Sequence, residues 1–103
     1  MMGEVTNCLR EAKGLIADER NWIQGNFFKD KQGITCNFKD ACSYCALGAL
    51  YAVNGTPKAL CFAEKASREL YNLDLAPLND LKTHADVMAV LDLAIQYSEE
   101  ENV

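Results

Sequence analysis

Basic residues never cluster in this chain, and histidine occurs only once. Ten lysines and arginines are spread from Arg10 to Lys82 against fifteen acids, for a formal net charge of −5. Nucleic-acid binding rests on a basic footprint that neutralises phosphates, so the composition argues against a nucleic-acid partner. The same reasoning disfavours an anionic membrane surface. No stretch approaches the roughly 20 consecutive apolar residues of a membrane-spanning helix, so no membrane partner is expected. Met1-Met2-Gly3-Glu4 lacks the basic region followed by an apolar one that marks a signal peptide. Low-complexity tracts and repeats at a solenoid period are missing too. So are a phosphate-cradling glycine loop, H-E-x-x-H and G-x-S-x-G. These absences remove classes of function without naming one.

What is present describes an ordinary globule. Half of the 103 residues are apolar and 24% are charged, the balance of a soluble domain. The length fits one domain over residues 1–103 and one core that folds without disulfides or a metal. Five cysteines are an odd number. Without an export signal they read as reduced thiols, and a cytoplasmic location is expected.

Hydrophobic periodicity predicts a mainly α fold: a compact four-helix domain with a short irregular or hairpin excursion after helix 1. Val5, Cys8, Leu9, Ala12, Leu15 and Ile16 recur at helical spacing, which predicts an amphipathic helix from Glu4 to Arg20. Trp22 follows and is expected to fold back onto its apolar face. Phe27-Phe28 and Ile34-Thr35-Cys36 flank a glycine-containing turn, the pattern of a minimal hairpin. Asp40 is placed to cap a second helix over residues 41–53, apolar on nearly every side and therefore central. Gly48 within it predicts a close helix crossing that compensates its low helix propensity. Asn54-Gly55 ends that helix. Thr56-Pro57 opens a third, with Ala59, Phe62, Ala63, Ala66, Leu70 and Leu73 inward and Glu64–Arg68 as a local ion pair. Residues 74–80 read as a connector. Thr83 and Asp86 form a capping-box pattern for the fourth helix, whose inner face is Val87, Val90, Leu91, Ala94 and Ile95. Residues 98–103 are an acidic tail expected to fray, because acids oppose the dipole at a helix C-terminus.

Reactive residues are few. Cys42-Ser43-Tyr44-Cys45 is a C-x-x-C at an expected helix start, where the dipole lowers a thiol pKa. A thioredoxin-like reading needs a preceding strand in a βαβ unit, which a helical chain does not supply. Cys36, Cys42 and Cys45, with Cys61 or His84, are the donors available for zinc, but the second paired knuckle of a structural site is missing. A Cys–His nucleophilic pair would need His84 beside Cys42 or Cys45. No catalytic residue, metal ligand or cofactor is therefore assigned.

Three short patterns in order, Trp22-x-Gln24-Gly25, Cys45-x-x-Gly48-Ala49-Leu50 and Asn79-Asp80-x-x-Thr83, resemble those of a family of small uncharacterised bacterial and phage proteins, a domain of unknown function. The resemblance covers residues 5 to 97. It implies cytoplasmic single-domain proteins of bacteria or their phages and no established activity. It also directs attention to Trp22, Gly25, Cys45, Gly48, Asn79, Asp80 and Thr83, and the candidate interaction or pocket residues are Trp22, Gln24, Gly25, Cys45, Asn79, Asp80, Thr83 and His84. Two functions follow as expectations. The first is a non-catalytic interaction or accessory domain that binds a partner protein. The alternative binds or modifies a small molecule in a pocket near Trp22, Cys45 and Asn79-Asp80.

Overall fold

The computed structural model describes residues 3–103; Met1 and Met2, on which the reading of the N-terminus partly rests, lie outside the described residues. The fold is mainly helical, but with five α-helices among the described residues rather than four. They are α1 (Glu4–Ile16), α2 (Ala46–Ala52), α3 (Pro57–Tyr71), α4 (Leu75–Leu81) and α5 (His84–Glu100). A two-stranded antiparallel sheet pairs β1 (Phe28–Lys29) with β2 (Ser43–Tyr44), Phe28 opposite Tyr44. α5 lies along α3 and α1, and α2 packs on α1. Leu9, Ile16, Leu75, Leu78, Val87, Val90 and Leu91 are fully enclosed between them.

The amphipathic stripes fall as their spacing requires. On α5 all five expected inner residues are buried; on α3 the buried stripe is Ala59, Phe62, Ala63 and Ala66. Ser67 joins that face and donates its hydroxyl to Leu73 O at 2.6 Å, while Leu70 turns outward, 45% exposed. Thr56 Oγ1 accepts from Ala59 N at 3.1 Å, and Pro57 occupies the first turn of α3. Here the missing N–H leaves nothing unsatisfied.

Several expected boundaries shift, and non-local hydrogen bonds set the main ones. α1 stops at Ile16 instead of Arg20, since His84 Nε2 lies 2.6 Å from Ile16 O and occupies that terminal carbonyl. Asp18 then caps a single 3-10 turn, Glu19–Asn21. α2 starts at Ala46, not after Asp40, because residues 42–45 are drawn into extended pairing. Cys42 N donates to Lys29 O at 2.9 Å and Cys45 N to Phe27 O at 3.2 Å. Asn37 rather than Asp40 caps the preceding turn, accepting from Lys39 N and Asp40 N. The expected 27–36 hairpin survives as an isolated Lys29–Thr35 bridge around a turn that Asp30 Oδ1 holds.

The supposed connector 74–80 is α4. Its N-terminal amide at Leu75 is satisfied by the carboxylate of Glu64, projecting from α3. Glu64 is thereby taken from Arg68, which instead pairs with Asp74 at 2.7 Å. Pro77 sits in the first turn of α4, where a proline costs no helical hydrogen bond. The first residues of the acidic tail continue α5 as far as Glu100. Ser98 is buried with its Oγ 2.6 Å from Thr6 Oγ1, and Val103 O accepts from Thr6 N at 3.1 Å. The last residue thus satisfies an orphan amide at the start of α1. Among the described residues no helix is long and apolar enough to cross a membrane.

Gly48 does permit a close approach, but by backbone rather than by a helix. A Cβ there would collide with the Phe27 carbonyl oxygen and lie 3.3 Å from Phe28 Cε1. Gly48→Leu should lower stability by roughly 1–3 kcal/mol through overpacking, read as a lower denaturant midpoint; an unchanged midpoint would show that the 25–45 excursion can move away freely.

At the start of α5, Thr83 and Asp86 complete the capping box. Tyr71 Oη donates to Asp86 Oδ1 at 2.6 Å. That bond, then those from Thr83, hold the Asp86 carboxyl below its ordinary range. A depressed folded-state value means that the contribution to stability is present above the unfolded value, about 3.9, and is lost as pH falls through the folded one. Tyr71→Phe should therefore raise the Asp86 titration midpoint, followed by carboxyl-carbon NMR, and shrink the stability lost on acidification, with that loss complete at a higher pH; an unmoved midpoint would exclude the Tyr71 bond as its main cause.

Candidate functional site

The residues singled out by sequence, from Trp22 to His84, converge on one end of the molecule. The segment after the 3-10 turn runs beside β2, with Ile23 N donating to Tyr44 O at 3.0 Å. From there residues 22–25 are fastened one after another to α4. The indole Nε1 of Trp22 donates to Asn79 Oδ1 at 2.7 Å. Ile23 O accepts from Asn79 Nδ2 at 2.9 Å. Gln24 Nε2 donates to the carbonyls of Asn79, Asp80 and Lys82 at 3.1, 3.3 and 3.0 Å. These are groups that the C-terminus of α4 leaves without helical partners. Gly25 N donates to Asp80 Oδ1 at 2.9 Å, and Gly25 adopts φ +84°, which redirects the chain.

Asn79 is the node. It is 1% exposed. Besides Trp22, its Oδ1 accepts from Ala46 N, the first amide of α2, at 2.9 Å. Its Nδ2 contacts Asp80 Oδ1 at 3.4 Å as well as Ile23 O. A carboxamide offers two acceptor and two donor positions, and all four are used inside the protein. Asn79 has no capacity left for a ligand. His84 lies 5.6 Å ring to ring from Trp22, with Nε2–H donating to Ile16 O. It is half-buried and occupied by α1. Thr83 is committed to its cap, Oγ1 accepting from Asp86 N at 3.2 Å.

Asp80 differs. Oδ1 is engaged, but Oδ2 has no hydrogen-bond partner among the described residues. Asp80 lies on an open cleft of about 1070 Å³ between the 25–38 excursion and α2, α3 and α4. Its walls are chiefly apolar: Phe27, Phe28, Phe38, Leu47, Tyr51 and Leu60. Cys45 and Asn79 also reach it, whereas Trp22 stands behind Asn79 and does not line it. The cleft takes in Cys45, Asn79 and Asp80 but not Trp22, and its aromatic surface is supplied by residues 27, 28, 38 and 51, which sequence reasoning passed over. The one available signal was Phe27-Phe28 followed by Phe38, three aromatic residues in a stretch with no helical or alternating pattern to bury them.

The cysteines do not form a reactive set. All five are unpaired. Cys42 is exposed and precedes α2 by several residues, so the helix N-terminus belongs to Cys45 instead. Cys45 is the N-cap, its sulfur accepting from Gly48 N at 3.3 Å. Burial outweighs that bond and pushes the Cys45 thiol up, the wrong direction for a redox thiolate. Among the described residues no three His, Cys, Asp or Glu side chains converge to hold a metal ion.

A family model described as a family of unknown function (DUF6197) matches residues 2–97. No curated protein and no solved structure matches the chain.

Asn79→Ala strips partners from Ala46 N, Trp22 Nε1 and Ile23 O together. At about 1–3 kcal/mol for a buried group left unmet, it should cost clearly more than Thr83→Ala, expected at about 1 kcal/mol for a lost cap. Urea denaturation of both variants checks the order; equal midpoints would remove Asn79 from the centre of the fold.

Proposed function

The chain belongs to the DUF6197 family of unknown function, whose name carries no activity, and we propose from the geometry of the cleft that it is a non-catalytic binding domain for a small apolar ligand. The observation that carries this reading is the contrast between Asn79 and the cleft beside it. The polar groups of the Trp22–Asn79 cluster are saturated by one another, while an adjoining concavity offers apolar walls and one unspent carboxylate oxygen. Largely apolar concave sites with a few convergent polar groups are the usual form of a ligand site. Asn79, Thr83 and His84 are each committed to protein partners, which supports binding without chemistry. The five unpaired thiols support a reducing location such as the cytoplasm, and the resemblance supports a bacterial or phage source.

A second reading keeps the partner protein. Phe27 and Tyr51 at the cleft mouth are 58% and 65% exposed, and Ile34 nearby is 63% exposed. Apolar surface in such density favours a covered face.

Ala76 is exposed and lines the cleft from α4, so Ala76→Trp fills the space without entering the core. Nile red, a neutral apolar dye, should bind the unmodified protein saturably with a blue-shifted emission. Ala76→Trp should abolish the signal while leaving the circular-dichroism spectrum unchanged. Failure of the unmodified protein to take up dye, or equal uptake by the variant, would sink the small-ligand reading and leave the partner-protein reading in its place.

A further inference from the structure

We propose that the cleft selects an organic cation, a ligand carrying an ammonium group on an aromatic or apolar body. This rests on the cleft being a small-ligand site and adds the charge of what it takes.

Two features point to positive charge. First, the charge of the lining is one-sided. Asp80 is the only carboxylate among the residues that form the cleft, and no lysine, arginine or histidine is among them. Its Oδ1 is fixed by Gly25 N and approached by Asn79 Nδ2, which orients the carboxylate and leaves Oδ2 open to a donor. A carboxylate oxygen accepts hydrogen bonds and repels other acceptors, so an ammonium N–H is its natural complement.

Second, a continuous run of rings lines the cleft. Phe27 and Phe28 lie 6.3 Å apart, Phe28 and Tyr51 5.9 Å, and Tyr51 and Phe38 5.4 Å, centroid to centroid. All four rings line the cleft. Aromatic faces carry the negative lobe of the ring quadrupole and attract cations, most strongly where water is excluded. They also stack against an aromatic body, so one wall serves both parts of such a ligand.

Burial first, and the Asp80 charge well after it, push the Cys45 thiol up, in keeping with the carboxylate already described. The first turn of α3 reaches the rim through Thr56 and Pro57, but Thr56 accepts the Ala59 amide internally and proline has no N–H to offer. That end does not reverse the preference.

A matched indole series with the intact chain tests the charge apart from the cleft itself. Tryptamine, tryptophol and indoleacetate share one ring system and differ in carrying an ammonium, a hydroxyl or a carboxylate. Each is titrated as a competitor of bound Nile red, and the site is mapped by amide chemical shifts. Tryptamine should bind about tenfold more tightly than tryptophol, the scale of one desolvated cation–π or charge-assisted contact, with indoleacetate weakest. Asp80→Asn keeps an acceptor for Gly25 N and removes the charge, so it should bring tryptamine to the level of tryptophol. Tyr51→Leu, an exposed position, should weaken tryptamine more than tryptophol. If dye binds but the three competitors are equal, or indoleacetate leads, or none displaces the dye, the cation preference is wrong and the cleft reading stands. If Asp80→Asn unfolds, Tyr51→Leu and the rank order of the three competitors still decide. If no dye enters, the cleft reading fails and the cation preference fails with it.

Discussion

The carboxamide of Asn79 is the interaction on which this end of the molecule depends. One buried side chain joins the N-terminus of α2, the backbone at Ile23, the indole of Trp22 and, through its own position, α4. Each is a polar group that would otherwise be desolvated without a partner, at about 1–3 kcal/mol apiece. Against a total stability of order 5–15 kcal/mol for a small domain, that is a large share to rest on one residue. Asparagine suits the position because it supplies acceptor and donor in one planar group. Aspartate would place a second acceptor against Ile23 O, and leucine would satisfy nothing.

Fixing Asn79 fixes what surrounds it. The excursion between α1 and α2 is anchored at one end by Gly25 on Asp80 and at the other by Cys45 on Phe27 O. Gly48 lets its backbone press against α2 without a side chain between them. Chain held at both ends in this way cannot swing its rings down into the helical core, which α1, α3 and α5 already fill. Phe28 leans edge-on against Tyr44 at 6.1 Å, and Phe27, Phe38 and Tyr51 are left facing an open space. The cleft is the direct result of an apolar segment tethered beside a core that has no room for it.

Wherever structure was governed by local pattern, it could be read from the sequence. The capping box at Thr83–Asp86, the Thr56-Pro57 start, the stop at Asn54 and the inner face of α5 depend on residues within a turn of one another. What escaped was set by partners far along the chain. α2 begins late because Phe27 and Lys29 capture residues 42–45 in pairing. α4 looked like a connector because its N-terminal cap is Glu64 and its C-terminal cap is Gln24, neither of them near it in sequence. The residues around the candidate site were singled out by the resemblance rather than by local pattern. Their spacing did not reveal that they would spend their hydrogen bonds on each other, nor that aromatic residues between them would face the cleft.

The borrowed caps of α4 have a kinetic meaning. Seven residues are too few to sustain a helix in water, where nucleation is costly and the gain per residue small. α4 cannot form until α3 presents Glu64 and residues 22–25 come back over it, contacts separated by 11 residues on one side and more than 50 on the other. Helices α1, α3 and α5 carry their own amphipathic stripes and can assemble first. Caps drawn from such distances imply an order in which the three long helices condense first and α4, the excursion and the cleft follow, which φ-values along α4 and α5 would test. Amide exchange in α4 should be coupled to that of residues 22–25 and 46, a unit that opens together without loosening α5.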